Sequence, residues 1–186
     1  MNPQIANLVL LFFVVQVARK FNLEDPDVLF YVRAAYATSQ LFVLSLCYIT
    51  NFKVKSKNDN TPLKYVEPPK PFQQEPNKVV QTTYRDYDLE KVDELIKQTL
   101  MGVVIMSALH FYWNFTQPLF IQTILPVKNV LQNNVIRIHL LGHKAEGELK
   151  RPFKNVSPFG ALAEAQQPAT DKASIKKAEK AAKKDE

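Results

Sequence analysis

The chain has little of what an active site or a metal centre is built from. Its 186 residues include four glycines, which leaves no Gly-rich phosphate loop. Cys47 is the single cysteine, so an intramolecular disulfide and a Cys-rich zinc site are both excluded. Among three histidines, His139 and His143 stand at a metal-like spacing, but no cysteine cluster supports them. No nucleophile–base pair stands out either. The expectation is a non-enzyme with no cofactor and no metal. No internal repeat is visible. MNPQ lacks a positive n-region, and ARKF after the first apolar run is not a small-residue cleavage site. That run is therefore expected to be an uncleaved signal anchor. The ending AAKKDE is neither a prenylation box nor an ER-retrieval signal.

What the chain does have is apolar residues in blocks. The longest runs from Val28 to Thr50 with one charge, Arg33. As a helix it reaches about 34 Å, enough to cross a bilayer core. Ile5–Ala18 is also apolar but reaches only about 21 Å, so it reads as a short tilted span or a re-entrant segment. Asp25-Pro26 marks a turn between the two, with Asp27 placed to cap the second helix. The predicted architecture is an all-α integral membrane protein with three to four short transmembrane or half-membrane helices. Residues 1–131 form the membrane domain, with spans at about 5–20, 28–50 and 96–115.

The remaining segments are attachments to these spans. The loop over residues 51–86 opens with Lys53, Lys55 and Lys57, then holds five prolines from Pro62 to Pro76, predicting extended chain. A helix starts near Asp86 or Asp88, either of which can cap it, and runs unbroken into the apolar stretch ending FYWNF. Residues 116–131 are broken by Pro118 and Pro126 and read as a bent half-span or an interfacial helix. Within a small extramembrane segment, 132–160, VIRIHLL alternates as a short strand does. Residues 161–186 form a basic tail, disordered by composition, with nascent helix.

Two sets of residues can carry function. At 100° per residue Arg33, Tyr36 and Gln40 share one helix face, and Ser107, His110 and Asn114 share another. An arginine at a span centre costs about 2.5–3.5 kcal/mol, so Arg33 either snorkels to the near interface or serves a purpose. The two faces either line a positive, wet groove or hydrogen-bond to each other as packing contacts. The second set is Lys172, Lys176, Lys177, Lys180, Lys183 and Lys184, several of which stack on one helical face. They either contact phosphate, on ribosomal RNA or anionic lipid, or keep the tail soluble.

Charge sets the expected topology. Of 24 Lys and Arg residues, twelve lie from Lys128 onward and eight from Lys53 to Lys91. The positive-inside tendency puts both the middle loop and the tail in the cytosol, which requires an even number of crossings between them.

Six stretches carry a resemblance: MNPQ, LEDPDVLFYVR, KNDNTPLKYVEP, TTYRDYDLEKVDELIK, QPLFIQTILPVKNVL and IHLLGHKAEGELKRPFK, spread over residues 1 to about 154. The chain resembles the fungal endoplasmic-reticulum membrane family assigned as the third component of the SRP-independent (SND) targeting pathway and first named for inorganic phosphate transport. The resemblance implies a multi-pass ER protein that delivers or inserts client membrane proteins. It implies as partners the Sec translocon, the ribosome, other SND components, clients and lipids. A structural subunit of a translocon assembly, or an indirect regulator of phosphate transport, is the alternative. Three or four spans without a repeat do not make a secondary carrier.

The sequon Asn155-Val156-Ser157 supplies a check on the cytosolic tail. Asn155 is expected to stay unglycosylated in microsomes. A glycosidase-sensitive mass shift abolished by Asn155→Gln would put the tail in the lumen.

Overall fold

The computed structural model describes residues 3–67, 78–154, 167–171, 173–176 and 178. In chain order it holds α1 (Pro3–Ala18), α2 (Pro26–Lys57), β1 (Pro62–Glu67), β2 (Lys78–Thr83), α3 (Tyr84–Trp113), α4 (Gln117–Gln132), α5 (Asn134–His139) and a 3₁₀ turn (Gly147–Leu149). The chain is mostly helical, but all-α is too narrow a class. The loop expected to be merely extended contains a β-hairpin, because Tyr65, Val66, Val79, Val80, Thr82 and Thr83 are strand formers on either side of its proline cluster. The Pro-rich residues 68–77 lie outside the described residues. Two compact units result, one from residues 1–53 and 90–142 and one from 54–89 and 143–186.

The first unit is built around α2. Its start is set by Asp25, whose Oδ1 accepts from the N–H groups of Asp27 (2.9 Å) and Val28 (3.5 Å). The cap is thus Asp25 and not the expected Asp27, because Pro26 has a φ suited to the first helical position. Val32, Ser39, Gln40, Val43, Cys47 and Thr50 are buried at helical spacing along one face. The opposite face exposes Phe30, Tyr31, Leu41, Phe42, Tyr48 and Ile49. On that exposed side Thr38 and Ser45 turn their hydroxyls back onto the helix, donating to Ala34 O (2.8 Å) and Leu41 O (2.7 Å).

α2 and α3 are long and apolar enough to cross a membrane. α3 is the single helix expected, but its cap is Thr83 rather than Asp86 or Asp88. Thr83 Oγ1 accepts from the Asp86 N–H (3.1 Å) and donates to the Asp86 carboxylate (2.9 Å), a reciprocal capping arrangement. Its far end closes with Asn114 in the left-handed region (φ 54°) and the Phe115 N–H on Leu109 O (3.2 Å). α1 packs on α4, and α4 on α5. Residues 135–139, expected as a strand, are α5. Asn133 accepts from the Val135 N–H (3.0 Å) and caps it, and Val135, Ile136 and Ile138 are buried.

The second unit joins loop to tail. β1 and β2 pair antiparallel from Pro62↔Thr83 to Glu67↔Lys78. Val66 also exchanges backbone hydrogen bonds with Ala169 (2.8 and 3.2 Å). This places part of the tail, expected to be disordered from residue 161, beside β1. Residues 161–166, Lys172, Lys177, Lys180, Lys183 and Lys184 lie outside the described residues; Lys176 is described and exposed. Tyr65 stacks edge-on with Tyr87 (5.6 Å), which in turn meets Phe153 (5.4 Å) and donates no slack: its hydroxyl accepts the Phe153 N–H at 2.8 Å. Beside this core Arg151 grips Asp88 with two nitrogens (2.7 and 2.5 Å), both side chains almost wholly buried. Burial alone pushes the Arg151 guanidinium down, but the Asp88 carboxylate overcomes this and holds it above its ordinary value.

Removing one partner of such a pair leaves an uncompensated buried charge, at about 3–5 kcal/mol. Asp88→Ala is expected to destabilise the second unit by that order and expose residues 143–154 to limited proteolysis in detergent, whereas Asp88→Leu with Arg151→Met restores protection. Asp59 adds a smaller acid sensitivity. The Thr61 hydroxyl on its carboxylate (2.6 Å) holds it below the ordinary value, so its contribution is present above about pH 4 and fades as pH falls further.

Candidate polar site

Arg33 sits two turns into α2, and His110 one turn before the end of α3. The structure brings them together: Arg33 Nε–H donates to His110 Nε2 at 2.9 Å. The other ring nitrogen, Nδ1, lies 3.2 Å from Phe115 O. One nitrogen must accept and the carbonyl must be given a hydrogen, so the tautomer is fixed with its proton on Nδ1. The carbonyl lies just beyond the end of α3, where chain ends leave acceptors to be satisfied. His110 is thereby locked and 4% exposed. Arg33 is exposed, with its guanidinium carbon 6.0 Å from the Phe111 ring centroid. Among the described residues no carboxylate neutralises it and its terminal nitrogens take no bond.

Tyr36 lies one turn further along α2. It packs against a cluster of Val32, Met106 and Leu119 contributed by α2, α3 and α4. Its hydroxyl is enclosed without a hydrogen-bond partner among the described residues. An enclosed, unpaired hydroxyl costs about 1–3 kcal/mol, so it marks a place where a polar group from outside is welcome.

Gln40 has a different task. Pro126 inside α4 has no N–H to offer the carbonyl four residues earlier, at Gln122. Gln40 Nε2 donates to that carbonyl at 3.2 Å. It also donates to Ser39 Oγ at 3.4 Å, and Ser39 donates to Tyr36 O at 2.8 Å. The structure thus separates the six sequence candidates. Arg33 and His110 are bonded, Tyr36 lies beside the cluster, and Gln40 is a buried link between α2 and α4. Ser107 is half-buried on α3, and Asn114 is exposed as the left-handed residue ending it. The Gln40–Gln122 link was legible in principle, since an internal proline announces an unpaired carbonyl at the fourth residue before it.

Among the described residues no group of three or more His, Cys, Asp or Glu side chains can hold a metal ion.

The family model described as "Phosphate transport (Pho88)" matches residues 1–186. A Saccharomyces cerevisiae protein named SRP-independent targeting protein 3 is 41% identical over 181 residues, 97% of this chain and 96% of its own length. A Schizosaccharomyces pombe protein named SRP-independent targeting protein 3 homolog is 35% identical over 179 residues, 96% and 91% of the two chains. An uncharacterized protein of the same yeast is 39% identical over 170 residues, 91% and 83% of the two. No solved structure matches.

The proline-linked hydrogen bond gives a sharp expectation. Gln40→Leu strands the Gln122 carbonyl and is expected to cost about 1–3 kcal/mol, read as a lower unfolding midpoint in detergent. In a Pro126→Ala background the helix supplies its own N–H, and the same substitution is expected to be close to neutral. An equal cost in both backgrounds contradicts the assignment.

Proposed function

Because this chain belongs to the Pho88 family, we propose that it is a non-enzymatic ER membrane protein that targets and inserts client membrane proteins in an SRP-independent pathway. The names of the relatives in two yeasts support the targeting role. The observation that carries the mechanism is Arg33: an exposed guanidinium, held by neutral His110, in a helix long and apolar enough to cross a bilayer. A cation kept in such a place without a carboxylate is expensive unless it meets polar groups in transit. In this reading Arg33 and the unpaired Tyr36 hydroxyl receive the hydrophilic flank of a client while its apolar segment passes into lipid. Ser107 and Asn114 extend the same path along α3.

The second unit supports the topology proposed with it. Val66 comes from the middle loop and Asp88 from the first turns of α3 that follow it, while Arg151 and Ala169 both come from the chain after α5. Groups in hydrogen-bond contact cannot lie on opposite sides of a bilayer. If α3 crosses, then α4 with its Pro126 break returns the chain, giving the even number of crossings. The lysine-rich side is assigned to the cytosol, where the loop and tail face the Sec translocon, the ribosome and other pathway components. The tail lysines supply the phosphate contact on ribosomal RNA or lipid.

A second reading, a structural subunit of a translocon assembly, is favoured for Gln40 alone, since it is fully occupied inside the protein. The phosphate-transport description of the family is read as an indirect effect on transporters that depend on this route for insertion.

Arg33→Leu is expected to lower insertion of pathway-dependent clients into microsomes several-fold at unchanged protein level, while Gln40→Leu in the Pro126→Ala background leaves insertion intact. Unchanged insertion with Arg33→Leu removes the cation from the mechanism.

A further inference from the structure

Between α2, α4 and the turn that precedes α2 lies a cavity of about 310 Å³ in the first unit. Phe21, Val28, Tyr31, Val32, Ala35, Phe120 and Thr123 line it. The floor is the packed cluster of Val32 and Leu119, against which Val28 and Phe120 also rest. One wall is the Phe21–Phe120 contact, with ring centroids 5.8 Å apart. Thr123, the one hydroxyl among the aliphatic and phenyl groups besides Tyr31, spends its donor on Leu119 O (3.1 Å). Apart from the hydroxyl of the exposed Tyr31, no polar group in the lining asks for a partner, so water gains little there. An apolar slot of this size in a membrane-embedded unit matches a hydrocarbon chain.

The rim says which kind. Phe21 and Val28, both lining residues, are the two ends of an ordered turn, stitched by Phe21 N–H to Ala18 O (3.3 Å), Asp25 N–H to Asn22 O (3.1 Å) and Leu29 N–H to Asp25 O (2.8 Å). Arg19 and Lys20 immediately precede Phe21; Glu24, Asp25 and Asp27 immediately precede Val28. Arg19, Lys20, Glu24 and Asp27 are exposed. The rim therefore carries both signs beside one apolar slot. A purely anionic headgroup meets three carboxylates there, whereas a headgroup holding a phosphate and an amine finds a partner for each.

We propose that this cavity is a lipid site that takes one acyl chain of a zwitterionic glycerophospholipid, with Arg19 and Lys20 toward its phosphate and Glu24 and Asp27 toward its amine. The proposal rests on the reading that the first unit lies in a bilayer. It adds a resident lipid at the end of the short helix α1, on the side of α2 away from Arg33. The lipid completes a wall that the protein leaves unfilled.

The test uses the full-length protein in phosphatidylcholine vesicles doped with phosphatidylcholine carrying a diazirine in mid-chain. After photolysis, labelled peptides are mapped, and resistance to alkaline carbonate extraction is measured on the same vesicles. Labelling is expected to concentrate on residues 21–35 and 120–123. Ala35→Trp fills the slot and is expected to lower that labelling about tenfold, since displacing two methylene groups is worth about that factor. Arg19→Glu with Lys20→Glu leaves the slot intact and is expected to lower it about fivefold or more, each rim cation being worth roughly that near a headgroup. If Ala35→Trp does not fold, the rim variant alone decides. Labelling spread evenly over the exposed faces of α2 and α3, and indifferent to the variants, overturns the lipid site while carbonate resistance leaves the membrane reading standing. Extraction of the protein by carbonate overturns both.

Discussion

A guanidinium closed over a carboxylate in a nearly dry interior is the constraint on which the second unit depends. Asp88 and Arg151 are 63 residues apart in the chain, and each is tolerable where it sits only because the other is there. Tyr84 lies under the guanidinium at 4.8 Å, and Tyr87, Phe153 and Tyr65 close the apolar side. The consequence reaches beyond stability. Because one partner lies in the first turns of α3 and the other after α5, the pair ties together two stretches that are far apart in the chain. The Val66–Ala169 backbone pairing makes the same tie a second time. In this protein a buried ion pair fixes which distant stretches meet as well as contributing energy.

Several polar groups in the first unit are paired within the protein. The hydroxyls of Thr38, Ser45 and Thr50 turn back on their own helix. Gln40 answers the carbonyl that Pro126 leaves open. His110 uses both ring nitrogens. Against that background the terminal nitrogens of Arg33 and the hydroxyl of Tyr36 stand out, one exposed and one enclosed, on neighbouring turns of α2. Paired groups of the Gln40 kind hold helices together, and the proposed function gives the unpaired ones of the Arg33 kind to a client's path. The proposed insertion role assigns both to the same small unit.

The helical plan was legible because long apolar runs have few other solutions. Val28–Thr50 could only be a long helix, and LEKVDELIKQTL running into TLMGVVIMSALHFYW had no breaker to divide it. Arg33 with His110 could be singled out by face, since a 3.6-residue period places them on surfaces that can meet. Shorter signals failed where context chose between near-equal options. VIRIHLL alternates like a strand, but Asn133 caps it and the burial of adjacent Val135 and Ile136 suits a helix. The hairpin was hidden by the prolines between its strands, and the cap of α3 is Thr83 because the helix starts directly after β2, leaving Asp88 inside the helix, paired with Arg151. That last pairing, between distant residues with no local pattern, leaves no trace in a single sequence.

Loop and tail fold together, and the proposed topology puts both in the cytosol. That topology is tested most directly by single cysteines at Lys64 and Lys150, placed one at a time in a Cys47→Ala background and probed in sealed microsomes with a membrane-impermeant maleimide. Both are expected to react at the same rate before and after the membrane is permeabilised. Protection of either one until detergent is added contradicts the cytosolic placement, and protection of only one breaks the tie between loop and tail on which the topology rests.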